Sequence, residues 1–278
     1  MSRVFRVMRA KPLGALGGLL IIGLVATALL APVLAPYDPL KIKSTDRLQA
    51  PSLNHPLGTD DFGRDILSRV IYGARISMLL GLGAVAISTL LAAIIGILSG
   101  YYGGRIDTVL QRCIDTLMAF PGFVVLLTIM AMLGQGLGNV ILALGIGATA
   151  GNARIIRSAV LAIRENQYIE VARATGCQDW QIIARHILPN IAAPIMVVVT
   201  LGLGVAILAE SSLSFLGFGV PPPTPSWGAM LSGSGRTYML QAPWMAVFPG
   251  IAISLAVFGF NMLGDALRDL LDPKLRGG

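Results

Sequence analysis

The side chains that could perform chemistry are few and widely separated in this sequence. The two histidines, His55 and His186, and the two cysteines, Cys113 and Cys177, show none of the spacings typical of a metal site or a disulfide framework. None of the four lysines follows a glycine, so the GxxxxGKS/T loop that cradles nucleotide phosphates is absent. The HExxH and GxSxG motifs of hydrolases are absent too. We therefore expect no catalytic residues, no bound metal and no cofactor in this chain.

The densest group of polar residues is the segment 170–190, EVARATGCQDWQIIARHILPN, which lies between long apolar runs. Good helix formers precede Gly176, and this glycine interrupts the run. Asp179 then stands where a helix N-cap is expected, and Pro189 stands where that helix is expected to end. The pattern predicts two short helices that meet at an angle at Gly176.

The second of these short helices carries one apolar face. Trp180, Ile183 and Ile187 fall at positions i, i+3 and i+7, which share one side of a helix. An amphipathic helix of this kind either lies on lipid headgroups or inserts an apolar side chain into the groove of a partner protein. Periodicity alone leaves both interpretations open.

The elements that must position this segment are strongly apolar. Only 13% of the 278 residues are charged and the mean hydropathy is +0.75, whereas about a quarter of the residues in soluble domains are charged. A helical crossing needs roughly 20 apolar residues. Six segments meet this length, and their continuous apolar character indicates helices rather than a β-barrel. They are 13–34, 76–100, 109–133, 140–163, 191–209 and 244–263.

The distribution of basic residues predicts the orientation of these helices. With the N-terminus inside, fourteen of the 21 Arg and Lys residues fall on the inner side, which agrees with the positive-inside rule. This orientation places both termini and the segment 170–190 in the cytoplasm. Because the basic residues flank apolar runs, they do not indicate nucleic-acid binding. The first apolar run is longer than the core of a signal peptide, which favours a retained anchor over a cleaved signal.

The segment 170–190 also resembles a known sequence pattern. Its match to the EAA loop of permease subunits of ATP-binding-cassette importers consists of Glu170, Ala172, Gly176, Leu188 and Pro189. The segment departs from that pattern at Val171, where a second alanine is expected, and at His186, where isoleucine is common. Its HILP sequence is similar to the peptide-importer branch of the family.

Three further stretches resemble the C-type permeases of dipeptide, oligopeptide and nickel importers. They are HPLGTD at 55–60 with the GRD, SR and YG groups that follow, SLSFLGFGVPPPTPSWGAML at 212–231, and FNMLGDALRDLLDP at 260–273. Because these motifs occur in the same order along nearly the whole chain, the sequence is identified as a member of this family. The resemblance implies an all-α polytopic membrane protein with six transmembrane helices and the type I importer permease fold.

The resemblance also implies a division of labour between subunits. Two homologous permease subunits form the pathway, two cytoplasmic ATPases bind ATP and Mg²⁺, and an extracytoplasmic solute-binding protein delivers the solute. The segment at about 165–189 supplies the coupling helices that dock on an ATPase. The residues assigned to this contact are Glu170, Ala172, Arg173, Gly176, Asp179, Trp180, Arg185 and His186. The chain is thereby assigned to the inner membrane of a prokaryote, with a first part at 1–75 and a core permease domain at 76–278.

Three other features of the sequence bear on the pathway and its surroundings. Glu210, at the outer end of the fifth predicted helix, either contacts the solute or a gate, or caps the outer surface. His55 is interpreted as a structural turn residue rather than a ligand. The proline-rich stretch 220–227 predicts a stiff extended ledge against a partner permease or the binding protein.

The predicted function is ATP-driven import of dipeptides, oligopeptides or related small solutes by alternating access. A secondary transporter would need ionisable coupling groups near the middle of the membrane and often has internal repeats, whereas this sequence has few such groups and no evident repeat. An intramembrane enzyme would need paired catalytic groups at one depth, which the sequence does not offer. Peptide, nickel and glutathione importers share these motifs, so the identity of the solute stays open.

Overall fold

The computed structural model describes residues 12–271, and the regular elements in that range are helices. The long helices are α1 (Pro12–Leu29), α3 (Ile66–Tyr102), α6 (Leu137–Arg164), α9 (Leu188–Phe215) and α12 (Trp244–Leu271). The shorter helices are α2 (Ala31–Leu34), α4 (Gly104–Met118), α5 (Gly122–Leu133), α7 (Gln167–Ala174), α8 (Asp179–Ile182), α10 (Trp227–Leu231) and α11 (Ser234–Thr237). The predicted all-α architecture is confirmed.

Among residues 12–271 five helices are long and apolar enough to cross a membrane, and there is a sixth if α4 and α5 count as one span. The third predicted crossing, at 109–133, is not one continuous helix, because it contains parts of α4 and α5, which are bent by 89° relative to each other. The bend lies at Pro121, the N-cap of α5, where the proline ring disfavours a helical conformation of the preceding residue. The helix of the second predicted crossing begins at Ile66, so the boundary placed between residues 75 and 76 falls inside α3.

Two ion pairs hold α4 against α6. Arg157 donates two hydrogen bonds to Asp107, from Nε to Oδ1 at 2.7 Å and from Nη2 to Oδ2 at 2.6 Å. These two side chains are only 28% and 21% exposed. Asp115 accepts a hydrogen bond from Arg154 in a more exposed pair. Both carboxylates of α4 are therefore paired with arginines of α6.

The helices α3 and α6 approach each other closely at two glycines. A Cβ atom on Gly96 would lie 2.9 Å from the carbonyl oxygen of Ala153, and one on Gly100 would lie 2.8 Å from Cβ of Val160. Both distances are shorter than van der Waals contact. The small-xxx-small spacing permits close helix approach, and α3 and α6 are in close contact at these two glycines.

The helix α8, a π-helical segment at Ile183–Ile187 and α9 form one continuous helix, Asp179–Phe215. The prediction that Pro189 ends the short helix before the fifth crossing is therefore wrong. In the π-helical segment the N–H of Leu188 bonds the carbonyl of Ile183, so the turn before the proline is wider than an α-helical turn. This extra width accommodates the proline ring, which would clash with the carbonyl of residue i−4 in a regular α-helix.

The segment 35–65, here called the pre-α3 segment, folds over the start of α3. Asp65 caps α3 by accepting a hydrogen bond from the N–H of Ser68 at 2.8 Å. Nδ1 of His55 lies 2.9 Å from Oδ1 of Asp65, and the imidazole packs against the ring of Tyr37. Since His55 is buried in this network, the predicted structural role of this histidine is confirmed.

In the described part of the chain the buried apolar side chains form a main core between the long helices, a second core at the C-terminal end of α3 and a smaller third cluster at the start of α3. The second core includes Tyr101, Ile169, Ile182, Ile187 and Ile191, and it attaches the segment after α6 to the bundle. Six basic residues that the sequence assigns to the inner side lie outside the described residues, namely Arg3, Arg6, Arg9, Lys11, Lys274 and Arg276.

Candidate functional site

The segment 165–189, here called the 165–189 loop, consists mainly of α7, a tight turn, α8 and the π-helical segment. Gly176 has a φ of +84°, in the left-handed region that other residues rarely adopt. Its N–H bonds the carbonyl of Arg173, and the N–H of Cys177 bonds the carbonyl of Ala172. This pair of hydrogen bonds is the Schellman arrangement of a helix C-terminus. Gly176 thus has a positive φ and separates two helices, as the sequence predicts.

The first turn of α8 is capped by Gln178, whereas the sequence predicted Asp179. Gln178 and Gln181 form a capping box, in which the N–H of Gln178 donates to Oε1 of Gln181 at 3.1 Å. Asp179 is already the first residue of α8, and its Oδ1 accepts a hydrogen bond from the Tyr101 hydroxyl at 2.7 Å. The prediction failed because the carboxylate is bound by a residue distant in sequence.

The buried and exposed side chains around α8 do not follow the predicted apolar face. Ile182 and Ile187 are fully buried, Ile183 is half-buried, and Trp180 is 61% exposed. The prediction that Trp180, Ile183 and Ile187 share one face is wrong because the π-helical turn contains an additional residue. Residues i and i+5 are joined in such a turn, and this pairs Ile182 with Ile187 in the second core.

The exposed surface of the 165–189 loop combines apolar and charged side chains. Its apolar part is formed by Trp180 and Val171, which are 61% and 60% exposed. The indole Nε1 of Trp180 donates to Oε1 of Gln178 at 2.6 Å, which fixes the orientation of the ring. Of the other residues assigned to this contact, Glu170, Arg173 and Arg185 are exposed, and His186 is half-buried against the ring of Tyr168.

Two residues of the loop and one residue of α3 differ from what the sequence indicated. Ala172, assigned to the contact surface, is buried in the second core. Val171 was noted as a departure from the EAA pattern, yet it is one of the exposed apolar side chains. Tyr101 was not recognised at all, although its ring lies 5.1 Å from the guanidinium of Arg173. No sequence signal marks Tyr101, because its partners in the loop are more than 70 positions away.

A cavity of about 950 Å³, here called the central cavity, lies between α3, α5, α6 and α9. Its wall is mainly aliphatic, and the polar side chains in it are Ser88, Asn152, Asn190 and Arg268. Asn152 donates a hydrogen bond to Oγ of Ser88 at 2.8 Å, across the α3 and α6 interface. One wall is formed by α9 between Asn190 and Ala209. Because α8 continues into α9, the loop and this wall belong to one helix.

Glu210 follows directly after this wall and is fully buried. Its Oε1 accepts a hydrogen bond from Oγ of Ser214 at 2.8 Å, and its Oε2 lies 3.5 Å from Oγ of Ser211. The interpretation of Glu210 as a cap on the outer surface is therefore wrong. Its carboxylate is enclosed by protein in this conformation and hydrogen-bonded within the last turns of α9.

The residues from 12 to 271 contain no group of three His, Cys, Asp or Glu side chains arranged to hold a metal ion. A multi-pass helical bundle with a two-helix loop of exposed apolar and charged residues and an open cavity between its helices is compatible with a membrane transport subunit. Residues 92–277 match the family of the binding-protein-dependent transport system inner membrane component. Residues 1–51 match the N-terminal TM domain of oligopeptide transport permease C. The chain belongs to the family of binding-protein-dependent transport system inner membrane components.

Several characterised or named proteins are similar along almost the whole chain. A dipeptide transport system permease protein of Alkalihalophilus pseudofirmus is 43% identical over 272 residues, covering 98% of this chain and 89% of that protein. A glutathione transport system permease protein of Pectobacterium atrosepticum is 44% identical over 260 residues, covering 93% and 86%. The inward-facing MetNI methionine ABC transporter has a chain that superposes with a TM-score of 0.61 at 17% identity, covering 74% of this chain and 98% of that one. The predicted family and the type I importer permease fold are confirmed.

Proposed function

We propose that this chain forms one half of the solute pathway of an ATP-driven importer of dipeptides, oligopeptides or related small solutes. One observation carries the mechanism: the exposed Trp180 stands on a helix that continues without a break into α9, a wall of the central cavity. A partner that binds this surface can therefore move a cavity wall. The relatives named for dipeptide and glutathione transport support the solute class.

The proposed importer contains a second homologous permease, two cytoplasmic ATPases and an extracytoplasmic solute-binding protein. A homologous permease supplies the opposite wall of the central cavity. The ATPases bind ATP and Mg²⁺, which is consistent with the missing phosphate-binding loop in this sequence. The family description names a binding-protein-dependent system, which supports the third partner. Membrane lipid covers the exposed apolar side chains of the long helices.

In the proposed cycle, ATP binding draws the two ATPases together and displaces the 165–189 loop. Trp180 and Val171 fill an apolar groove in the ATPase, with Glu170, Arg173 and Arg185 around it. Because α8 and α9 are one helix, displacement of the loop tilts α9. The central cavity opens to the outside in this state and to the inside after ATP hydrolysis, which is alternating access.

The proposed location is the inner membrane of a prokaryote, with both termini and the 165–189 loop in the cytoplasm. In this orientation fourteen of the 21 Arg and Lys residues fall on the inner side, which supports it through the positive-inside rule. The pre-α3 segment then lies outside. Together with the proline-rich stretch 220–227 it lines a second cavity of about 640 Å³, here called the outer cavity, which we assign to the binding protein.

The test is ATP-dependent uptake of a labelled dipeptide by the complete importer in lipid vesicles supplied with the loaded binding protein. Trp180→Ala removes the exposed indole, and we expect ATPase binding and uptake to fall by about 30-fold, as for a tryptophan at the centre of an interface. Leu90→Ala, at an exposed apolar side chain of α3 that lines neither of the two cavities, is the control. Uptake that is driven by an ion gradient without ATP, or full uptake by Trp180→Ala, would contradict the proposal.

A further inference from the structure

Tyr101 lies near the C-terminal end of α3 and contacts both helices of the 165–189 loop. Its hydroxyl donates a hydrogen bond to Oδ1 of Asp179 in α8 at 2.7 Å. From α7, Arg173 places its guanidinium 5.1 Å from the centre of the ring, within the range of a cation–π contact. One side chain of α3 therefore holds the two helices that meet at Gly176.

The surroundings of Tyr101 restrict its movement relative to the loop. Tyr101 is 3% exposed and packs in the second core. At the end of α6, Nη1 of Arg164 donates to the carbonyl oxygens of Gly100 and Tyr101 at 3.2 and 3.3 Å. Hydrogen bonds to a carboxylate are stronger than those between neutral groups. Because both the side chain and the backbone of Tyr101 are held, displacement of α8 must move the end of α3 or break the hydrogen bond from Tyr101 to Asp179. Displacement of α7 must likewise move the end of α3 or break the contact of Tyr101 with Arg173.

The opposite end of α3 reaches the elements that line the outer cavity. The helix contains 37 residues and no proline, which corresponds to a length of about 55 Å. Near its start, the carbonyl of Val70 accepts a hydrogen bond from Nε1 of the buried Trp227 of α10 at 2.9 Å. Ile66, the first residue of α3, lines the outer cavity itself. A single helix thus joins the residue that holds the loop to the surface assigned to the binding protein.

We propose that Tyr101 is a positioning residue that makes α3 follow the docking helices, so that α3 and α9 move together when the ATPases close. This inference rests on the proposed function and deepens it. The motion passes to α9 through the continuous helix, and it passes to α3 through the contacts of Tyr101 with Asp179 and Arg173. Without the hydroxyl of Tyr101, α9 still moves with α8 but α3 does not follow it. ATP hydrolysis then no longer moves the two cavity walls together.

A double-mutant cycle on the complete importer in lipid vesicles tests this role. Tyr101→Phe removes the hydroxyl and keeps the ring beside Arg173, whereas Asp179→Leu removes the acceptor. We expect each variant to transport about tenfold less solute per ATP hydrolysed. A tenfold change corresponds to the loss of about one hydrogen bond to a charged group. The double variant should lose no more than a single one, because both changes remove the same bond. Tyr102→Phe is the matched control, since Tyr102 is 46% exposed.

The readouts distinguish positioning from a general structural role. The amount of bound ATPase and the basal hydrolysis rate are measured beside the stimulation by loaded binding protein and the ratio of solute to ATP. A wild-type ratio in Tyr101→Phe, additive losses in the double variant, or an equal fall of basal and stimulated hydrolysis would each overturn the inference. Absence of ATP-dependent uptake in the wild-type importer would instead contradict the proposed function. Uptake by the wild-type importer is therefore measured before any variant is compared.

Discussion

Replacement of Gly176 by valine should disturb the docking surface and leave the bundle intact. The backbone there has a φ of +84°, and an added Cβ atom would meet nothing within 4 Å. The penalty therefore arises from the backbone conformation and not from crowding. A β-branched residue is an outlier in this region of φ and ψ, so the angle between α7 and α8 is expected to change in Gly176→Val.

The expected loss of affinity for the ATPase follows from the backbone strain at position 176 and from the contact that this strain opposes. A residue held in a sparsely populated backbone conformation costs about 1–3 kcal/mol. Ile169 of α7 and Ile182 of α8 are both fully buried in the second core, so each helix keeps its own attachment to the bundle. If the strain opposes only the geometry that the ATPase recognises, the affinity for the ATPase falls by about 5- to 150-fold.

The assay compares wild type, Gly176→Asn and Gly176→Val in the reconstituted importer. Asparagine enters the left-handed region more readily than other non-glycine residues, so it is the matched control for the loss of glycine. We expect co-purified ATPase, stimulated hydrolysis and solute uptake to decrease in the order wild type, Asn, Val. Membrane insertion and thermal stability of the three permeases should be similar.

Two outcomes would refute this reasoning. Equal uptake by all three proteins would show that docking does not depend on the positive φ of Gly176. Failure of Gly176→Val to insert or to bind its partner permease would show that the glycine is needed for folding of the chain rather than for the contact.

Two further predictions concern the packing of α4 and α6 in the bundle. Asp107→Asn weakens the shielded ion pair to α6 and should lower the free energy of unfolding by about 1–2 kcal/mol, whereas Asp115→Asn, in the more exposed pair, should lower it by about 0–1 kcal/mol. Thermal unfolding in detergent measures both, and equal shifts would contradict the assigned difference in shielding. Gly96→Val places side-chain atoms against the backbone of Ala153 and should cost about 1–3 kcal/mol or more. Gly151→Val, where an added Cβ meets nothing within 4 Å, should unfold at nearly the wild-type temperature.

The long helices could be predicted because the thickness of the bilayer dictates the length of an apolar run. The predicted segments 140–163 and 244–263 lie within α6 and α12. The first ten residues of α3, ILSRVIYGAR, were missed because they are too polar for a hydrocarbon environment and extend the helix beyond it. Hydropathy reports where a helix crosses the membrane and not where it begins.

Parts of the loop could not be read from the sequence because they depend on contacts between distant residues. The positive φ of Gly176 was predictable, since only glycine suits a sharp junction between two helices. The cap was mispredicted because Asp179 bonds Tyr101 of α3. The buried face was mispredicted because a period of 3.6 residues does not apply across the turn at 183–187. Trp180 is exposed, and its assignment to the ATPase contact through the resemblance to the family stays a prediction.

The π-helical turn at 183–187 also controls the direction in which the loop points. A π-helical turn holds one residue more than an α-helical turn, and each residue of an α-helix rotates the chain by about 100°. If this turn became regular α-helix with all its residues retained, the extra residue would rotate α8 by about 100° around the axis of α9. Trp180 would then point in a new direction while the residues lining the central cavity kept theirs. Deletion of one residue in the turn would instead remove the extra residue and leave the direction of α8 nearly unchanged. The wide turn therefore sets which way Trp180 faces relative to the solute pathway.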